Sequence, residues 1–215
     1  PGLAVALSCG LLGGLMSRLI VASMRGLPDR ASAWRARAPL RFAAACATAV
    51  AVIGVISAGS TAGAGYGPTR DLLEGAEDLP LLYTPLKFIA TWLSAWTGVP
   101  GGLFSPSLAI GAGLGHDVAR LLGLDQAHAV PLIALGMAGF LAATTQGPLT
   151  AFIIVMEMIA GQTMVLSLMA CVLLSSGVSR WIARPLYLEL AGLVAQAPWA
   201  RALAGPVEEA ARPRR

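Results

Sequence analysis

The stretch "TGVPGGLFSPSLAIGAGLG", residues 97–115, joins irregular backbone to an apolar helical pattern, and the fold follows from it. It carries no charged residue, and six of its nineteen residues are glycine and two are proline. Glycine lets other groups approach the backbone closely, and proline is well tolerated in the first turn of a helix. We therefore predict a helix that begins just after Gly101 and Gly102, with Pro106 in its first turn.

Such a helix start has two explanations from the residues alone. The first N–H groups of a helix lack intrahelical partners and carry about half a positive charge, so they bind anions without a charged side chain. Transporters use broken helices in this way to point dipoles at an ion. The backbone N–H groups near Leu103 and Phe104 could therefore coordinate an anion. The other explanation is a break that only serves helix packing, which is the commoner use of glycine and proline in membrane helices.

The composition of the chain indicates a membrane protein. Hydrophobic residues make up 56% of the 215 residues and charged residues 12%, whereas soluble domains average about 25% charged residues. A helix needs about 20 apolar residues to span a bilayer. Five runs without charge meet or approach that length: residues 1–17, 42–69, 88–115, 129–156 and 158–179. We predict an all-α polytopic membrane protein with at least five embedded segments.

The pattern of apolar runs and breaks also predicts the order of segments. The segments expected to be embedded cover residues 1–24, 40–57, 82–96 and 163–182, together with the helix after Gly102 and two helices that Gly147 and Pro148 separate. Between them we expect a break with a short amphipathic piece at residues 58–80 and a polar loop at residues 115–129. A short amphipathic helix is expected from "ARPLYLELAGL" onward.

Charge predicts the orientation and the division of the chain. Five arginines lie in residues 25–41 against a single Asp29, and loops rich in arginine tend to be cytoplasmic. The basic end "ARPRR" then gives a cytoplasmic C-terminus. We expect a membrane domain over residues 1–199 and a basic cytoplasmic tail over residues 200–215. The opening proline suggests that the sequence begins inside a longer protein.

The sequence contains little that favours metal binding or catalysis. Three widely spaced cysteines have no pairing or ligand pattern and are expected to be small buried residues: Cys9, Cys46 and Cys171. Four residues could form a metal cluster but are better explained by a polar loop: His116, Asp117, Asp125 and His128. An intramembrane enzyme with a nucleophile in Ser175-Ser176-Gly177 lacks a base within reach. We expect no enzyme activity, no metal, no cofactor and no nucleic-acid partner.

Three motifs together resemble the CLC family of chloride channels and proton-coupled chloride antiporters. "GGLFSPSLAIGAGLG" is similar to the GxFxP signature in the second half of that family. "GMAGFLAATTQGPLTAFIIVMEM" is similar to the pair of helices that follows, and "ARPLYLEL" resembles the last transmembrane helix. The order and spacing of the motifs match, and the resemblance covers nearly the whole chain. It implies the second inverted repeat of the CLC fold, with tilted and re-entrant helices.

The resemblance also implies a binding site. The backbone amides of Leu103 and Phe104 match the positions that contact the central chloride, and Tyr187 matches the tyrosine whose hydroxyl does so. Without the resemblance, Tyr187 would be interpreted as an interfacial anchor. The motif residues that support the site are Gly101, Gly102, Ser105 and Pro106. Glu157, which ends the second motif, is expected to be structural.

The resemblance implies chloride transport across a bacterial-type inner or plasma membrane, by the C-terminal half of a voltage-gated channel or an H⁺/Cl⁻ antiporter. Chloride is the transported ligand, and an antiporter would also transport protons. The lipid bilayer surrounds the protein. The GSGIP and GxEGP patterns of the first half do not occur, so a missing N-terminal half is needed and channel and antiporter cannot be distinguished. Alternatives are a carrier of another anion, such as fluoride or nitrate, and a non-conducting structural subunit.

The family also implies a homodimer. We expect "LTAFIIVMEM" and "VLSLMACVLLSSGVS" to contribute to its interface. On this hypothesis, replacing Leu168 and Leu173 by tryptophan weakens dimerisation.

Overall fold

The architecture comes from a computed structural model that describes residues 1–26, 30–75, 79–98, 101–159 and 162–195. Within those residues all regular structure is helical, with ten α-helices and one short 3₁₀ turn, Gln162–Met164. The α-helices are α1 Gly2–Arg25, α2 Arg30–Arg37, α3 Pro39–Ile56, α4 Tyr66–Glu74, α5 Tyr83–Trp96, α6 Phe104–Leu121, α7 Gln126–Thr145, α8 Pro148–Met158, α9 Val165–Ile182 and α10 Leu186–Ala195. The all-α prediction is confirmed.

Four helices are long and apolar enough to cross a membrane by length and composition: α1, α3, α7 from His128 onward, and α9. α8 and α10 are apolar but shorter. The uncharged run at residues 88–115 does not form a span of its own, because the break before α6 divides it between α5 and α6. The described part of the chain therefore has four full-length candidates among the predicted embedded segments, with shorter apolar helices between them.

The centre of the fold is α7, which packs against α1, α6 and α9. Its largest side chains, among them Ile133, Met137, Phe140 and Leu141, have no exposed surface. By contrast, α3 is mostly exposed within this chain, with 11% of its apolar window buried against 78% for α7. The core is thus built around one helix, and α3 is held at the edge.

Glycines bring α6 and α7 into backbone contact. A Cβ atom built on Gly136 would lie 2.1 Å from the carbonyl oxygen of Gly111, and one built on Gly115 would lie 2.2 Å from that of Leu132. In lipid the hydrophobic effect does not drive helices together, so they associate through close packing, which small residues allow. The glycines in the second half of the opening stretch therefore fix α6 against α7, and with it the position of the α6 start.

Serine hydroxyls connect α9, α1 and α7 across the core. Ser175 donates to the carbonyl oxygen of Ala6 at 2.9 Å, and Ser17 donates to that of Thr144 at 2.9 Å. Both serines have no exposed surface. In "LLSSGVS", Ser175 and Ser179 donate to carbonyl oxygens of neighbouring helices, which gives these two serines a structural role.

Two predicted boundaries were wrong. The polar loop expected at residues 115–129 is mostly helix, because α6 continues to Leu121 and α7 begins at Gln126. His116 lies inside α6 and is 4% exposed. The basic loop after α1 also contains a helix, α2. In both places we took polar residues for loop, although they occupy the polar end of one helix and an amphipathic short helix.

The other predicted segments are confirmed within a few residues. The break after α3 and the short helix α4 lie where the glycine-rich stretch predicted them. Gly147 is the N-cap of α8 and Pro148 its first residue, so the long apolar run is divided as expected. Glu157 lies near the end of α8 and is exposed. The tail at residues 200–215 lies outside the described residues.

Candidate functional site

The α6 start has the geometry that the sequence predicted. Leu103 is the N-cap, Phe104 is the first helical residue, and Pro106 lies in the first turn. The carbonyl oxygen of Leu103 already accepts hydrogen bonds from the backbone N–H of Ser107 at 3.1 Å and from its hydroxyl at 2.6 Å. No side chain in the described part of the chain caps this helix. The positive end of α6 therefore has no side-chain cap from the described residues.

This helix start opens onto a cavity of about 1350 Å³. Gly101, Gly102, Leu103 and Pro106 form one wall of the cavity. The other walls come from α3, from residues 58–63 after it, and from one face of α5, with smaller contributions from α1 and α10. Most of the side chains around it are small or apolar. The polar groups that an ion would meet there are the backbone dipoles of the helix start, a few hydroxyl side chains and the ammonium group of Lys87.

The loop at residues 58–65 forms the wall that faces the helix start. Three of its glycines have left-handed backbone conformations, with φ of +85° at Gly59, +60° at Gly63 and +85° at Gly65. A Cβ atom on Gly65 would lie 2.5 Å from the Cβ of Ala109 in α6. Only glycine satisfies both the positive φ and this close approach. The loop is therefore shaped to lie directly against α6.

Side chains of α5 and α6 hold the loop in place. Lys87 of α5 donates from Nζ to the carbonyl oxygens of Thr61 and Gly63, at 2.8 Å each. Ser105, in the first turn of α6, donates from its hydroxyl to the carbonyl oxygen of Ala64 at 3.2 Å. Lys87 is 2% exposed and borders the same cavity. The sequence reasoning missed Lys87, although a lone cation inside an apolar segment is a signal of function.

The structure brings together some of the predicted site residues and leaves others apart. Gly101, Gly102, Leu103 and Pro106 line the cavity. Phe104 and Ser105 belong to the same helical turn and are half-buried, but neither is among the cavity-lining residues.

Tyr187 lies apart from the cavity wall. It is the second residue of α10 and is 51% exposed, whereas Leu190, one turn further along α10, borders the cavity. An ion pair between Glu189 and Arg25 connects α10 to the end of α1. α10 therefore reaches the cavity through a different residue from the predicted one.

The four residues considered as a metal cluster are divided between two places. His116 and Asp117 lie in α6, and the hydroxyl of Thr84 donates to Asp117 at 2.6 Å. Asp125 and His128 pair at the start of α7, and the hydrogen bond from His128 lowers the pKa of the Asp125 carboxyl. No group of three or more histidine, cysteine or acidic side chains in the described residues is arranged to hold a metal ion.

Comparison with known proteins identifies the family. The sequence profile described as voltage gated chloride channel matches residues 1–180, well over half of the chain. The chain belongs to this family. The resemblance to the CLC family is thereby confirmed, and the first two of the three motifs lie within the matched range. The matched range contains the α6 start and the turn before α8, and Tyr187 lies beyond it.

Curated relatives carry the same family name. The chain is 30% identical over 191 residues to "Voltage-gated ClC-type chloride channel ClcB" of Escherichia coli O9:H4 (strain HS), which covers 84% of the chain and 44% of that relative. It is 36% identical over 104 residues to the ClcB protein of Yersinia pestis, covering 46% of the chain and 25% of the relative. The chain thus spans less than half the length of the curated relatives it matches.

Proposed function

We propose that this chain supplies the C-terminal half of a CLC-type anion transport pathway, with chloride as the transported ligand and without a cofactor or catalytic activity. The observation that supports this proposal is the α6 start, whose positive end opens onto a mostly apolar cavity without a capping side chain from the described residues. The family membership and the names of the relatives support chloride as the anion.

The mechanism follows from the dipoles at the α6 start. The backbone N–H groups of Leu103 and Phe104 replace part of the hydration shell of the ion at the positive end of the helix. Conduction requires binding that is weak enough for release, and N–H dipoles attract an anion less strongly than a directly bound cation would. Tyr187 stays a proposed ligand from the resemblance, although α10 borders the cavity through Leu190 rather than through Tyr187.

The rest of the pathway would come from an N-terminal half, in keeping with the 44% of the relative that the chain covers. We propose that the complete protein is a homodimer in a bacterial-type inner or plasma membrane, with a cytoplasmic C-terminus. An exposed, apolar α3 at the edge of the fold is compatible with further protein beside it.

Chloride transport is tested by simultaneous chloride and proton flux from liposomes that contain the full-length protein, alongside its Tyr187→Ala variant. We expect chloride efflux from the unaltered protein and a changed flux or ion coupling in the variant. Chloride movement with opposite proton movement identifies an antiporter, and chloride movement alone identifies a channel. Flux of nitrate or fluoride without chloride would favour the related carrier, and no anion flux would favour a structural subunit and overturn the proposal.

The dimer is tested on α9, where the structure corrects one of the two positions chosen from the sequence. Leu168 has no exposed surface, so tryptophan there would disturb the fold rather than the dimer, whereas Leu173 is 56% exposed. We expect Leu173→Trp to shift the detergent-solubilised protein from dimer to monomer, as measured by size-exclusion chromatography with light scattering. Leu188→Trp, at an exposed position of α10, is the control. An unchanged dimer in the Leu173 variant would place the interface elsewhere.

A further inference from the structure

Lys87 is a buried charge for which the proposed pathway has so far given no role. It is the single lysine in the sequence, and it lies in the second turn of α5 at the edge of the cavity. A buried lysine is costly in a membrane. Such a lysine is usually paired with an acidic side chain or with backbone carbonyls, and it often marks a functional site. In the described residues the ion pairs join Arg25 and Arg184 to Glu189, Arg70 to Glu74, and His128 to Asp125. Lys87 therefore has no carboxylate partner among the described residues, and its two hydrogen bonds go to backbone carbonyl oxygens.

Those two carbonyl oxygens present a problem for an anion. The loop at residues 58–65 is irregular backbone, so its carbonyl groups lack the regular partners that a helix would provide. Channels for cations use rings of such carbonyl oxygens as ligands. The same oxygens turned toward the cavity would repel an anion that the α6 start attracts. A cavity selective for anions therefore requires that the loop carbonyls be held by donors.

The contacts show how this requirement is met. The Lys87 ammonium donates charge-assisted hydrogen bonds to two loop carbonyl oxygens, those of Thr61 and Gly63. The Ser105 hydroxyl donates to a third loop carbonyl oxygen, that of Ala64, and so joins the loop to the first turn of α6. The positive φ angles of Gly63 and Gly65 allow the chain to turn successive carbonyls toward these donors.

We propose that Lys87 is a specificity-determining residue of the anion cavity, which binds the Thr61 and Gly63 carbonyl oxygens and so keeps their negative dipoles away from the ion. This inference rests on the proposed function. Lys87 acts by positioning the loop and by offsetting its dipoles, and it does not itself contact the ion. Its charge adds to the positive potential of the α6 start without placing a bare cation in the pathway.

The test compares chloride binding by isothermal titration calorimetry in the detergent-solubilised full-length protein and its variants. Lys87→Met keeps the length of the side chain but removes its charge and donors. We expect it to raise the chloride dissociation constant about tenfold, because the Thr61 and Gly63 carbonyl dipoles are then free to oppose the ion. Lys87→Arg keeps charge and donors and should restore most of the affinity. Lys87→Gln keeps two donors without the charge and should give an intermediate loss, which preserves the test if the methionine variant does not fold.

A matched control separates specificity from stability. Ser175→Ala removes a buried hydrogen bond between α9 and α1, away from the cavity, and should lower the melting temperature without changing chloride affinity. Unchanged affinity in the methionine and glutamine variants, or failure of arginine to restore it, would overturn the role of Lys87 while leaving the proposed function intact. A parallel loss of affinity in Ser175→Ala would likewise assign the effect to stability and overturn it. Absence of chloride binding in the unaltered protein would overturn both.

Discussion

Replacing Gly136 by valine is expected to prevent the protein from folding into its native form. A Cβ atom at this position would lie 2.1 Å from the carbonyl oxygen of Gly111, 2.9 Å from the backbone nitrogen of Gly115, and 3.1 Å from the carbonyl carbon of Gly111. All three neighbours are backbone atoms of α6, so no side-chain rotation relieves the clash. Overpacking a core costs about 1–3 kcal/mol and more where the backbone must shift, and here two central helices would have to separate.

The measurement is the yield of monodisperse protein in detergent and its thermal unfolding followed by circular dichroism. Gly177→Ala is the control, because a Cβ atom at Gly177 in α9 meets nothing within 4 Å. The control should unfold at the same temperature as the unaltered protein, whereas Gly136→Val should aggregate or unfold far below it. A Gly136 variant with native yield and melting temperature would show that α6 and α7 are not in backbone contact.

The α6–α7 contact also explains why the site depends on residues far from it. The glycines of α6 that touch α7 follow the helix start by about two to three turns, so a displaced α6 would move the N–H groups of its first turn. Gly111 and Gly115 in the second half of the opening stretch thus position the first half. Helix packing and anion binding are therefore compatible explanations for the stretch at residues 97–115. The glycines that pack α6 against α7 are different from those at the start of α6.

Local signals in the sequence predicted much of the fold. The start of α6 was predicted from Gly102 and Pro106, and the start of α8 from Gly147 and Pro148, because proline and glycine act through the backbone of their own segment. Charge-free runs predicted the long helices for a similar reason. The helix end at Leu121 was missed because Asp117 and Arg120 make the last turns of α6 polar, which resembles a loop when the neighbouring helices are unknown.

Contacts between distant segments could not be predicted in the same way. Lys87 and Thr61 are 26 positions apart, and nothing in either segment indicates that an ammonium on α5 binds carbonyls in the loop after α3. The role of Tyr187 follows from the resemblance alone, and Tyr187 is not among the residues that line the cavity. Tertiary packing decides both, and packing depends on elements that a single local pattern does not contain.

Replacing Leu103 by proline is expected to weaken chloride binding strongly while keeping the helix. Proline lacks the backbone N–H but is tolerated at the start of a helix. Leu103 has a φ of −84°, close to the value that proline adopts. The residue before it is Gly102, whose freedom of backbone conformation accommodates the restriction that proline imposes on its predecessor. The substitution therefore deletes one of the two amides proposed as ligands with little strain.

The size of the effect follows from the strength of the lost contact. Hydrogen bonds to charged groups are worth about 1.5–3 kcal/mol, so the chloride dissociation constant should rise by about tenfold to a hundredfold. Leu103→Ala keeps the N–H and removes the side chain, which packs against the core; it should bind chloride nearly as well as the unaltered protein. Calorimetric titration with chloride compares the unaltered protein, Leu103→Pro and Leu103→Ala. Loss of affinity in both variants would assign the effect to packing of the Leu103 side chain. Normal affinity in the proline variant would exclude this amide as a ligand, since the helix start would then hold the ion without it.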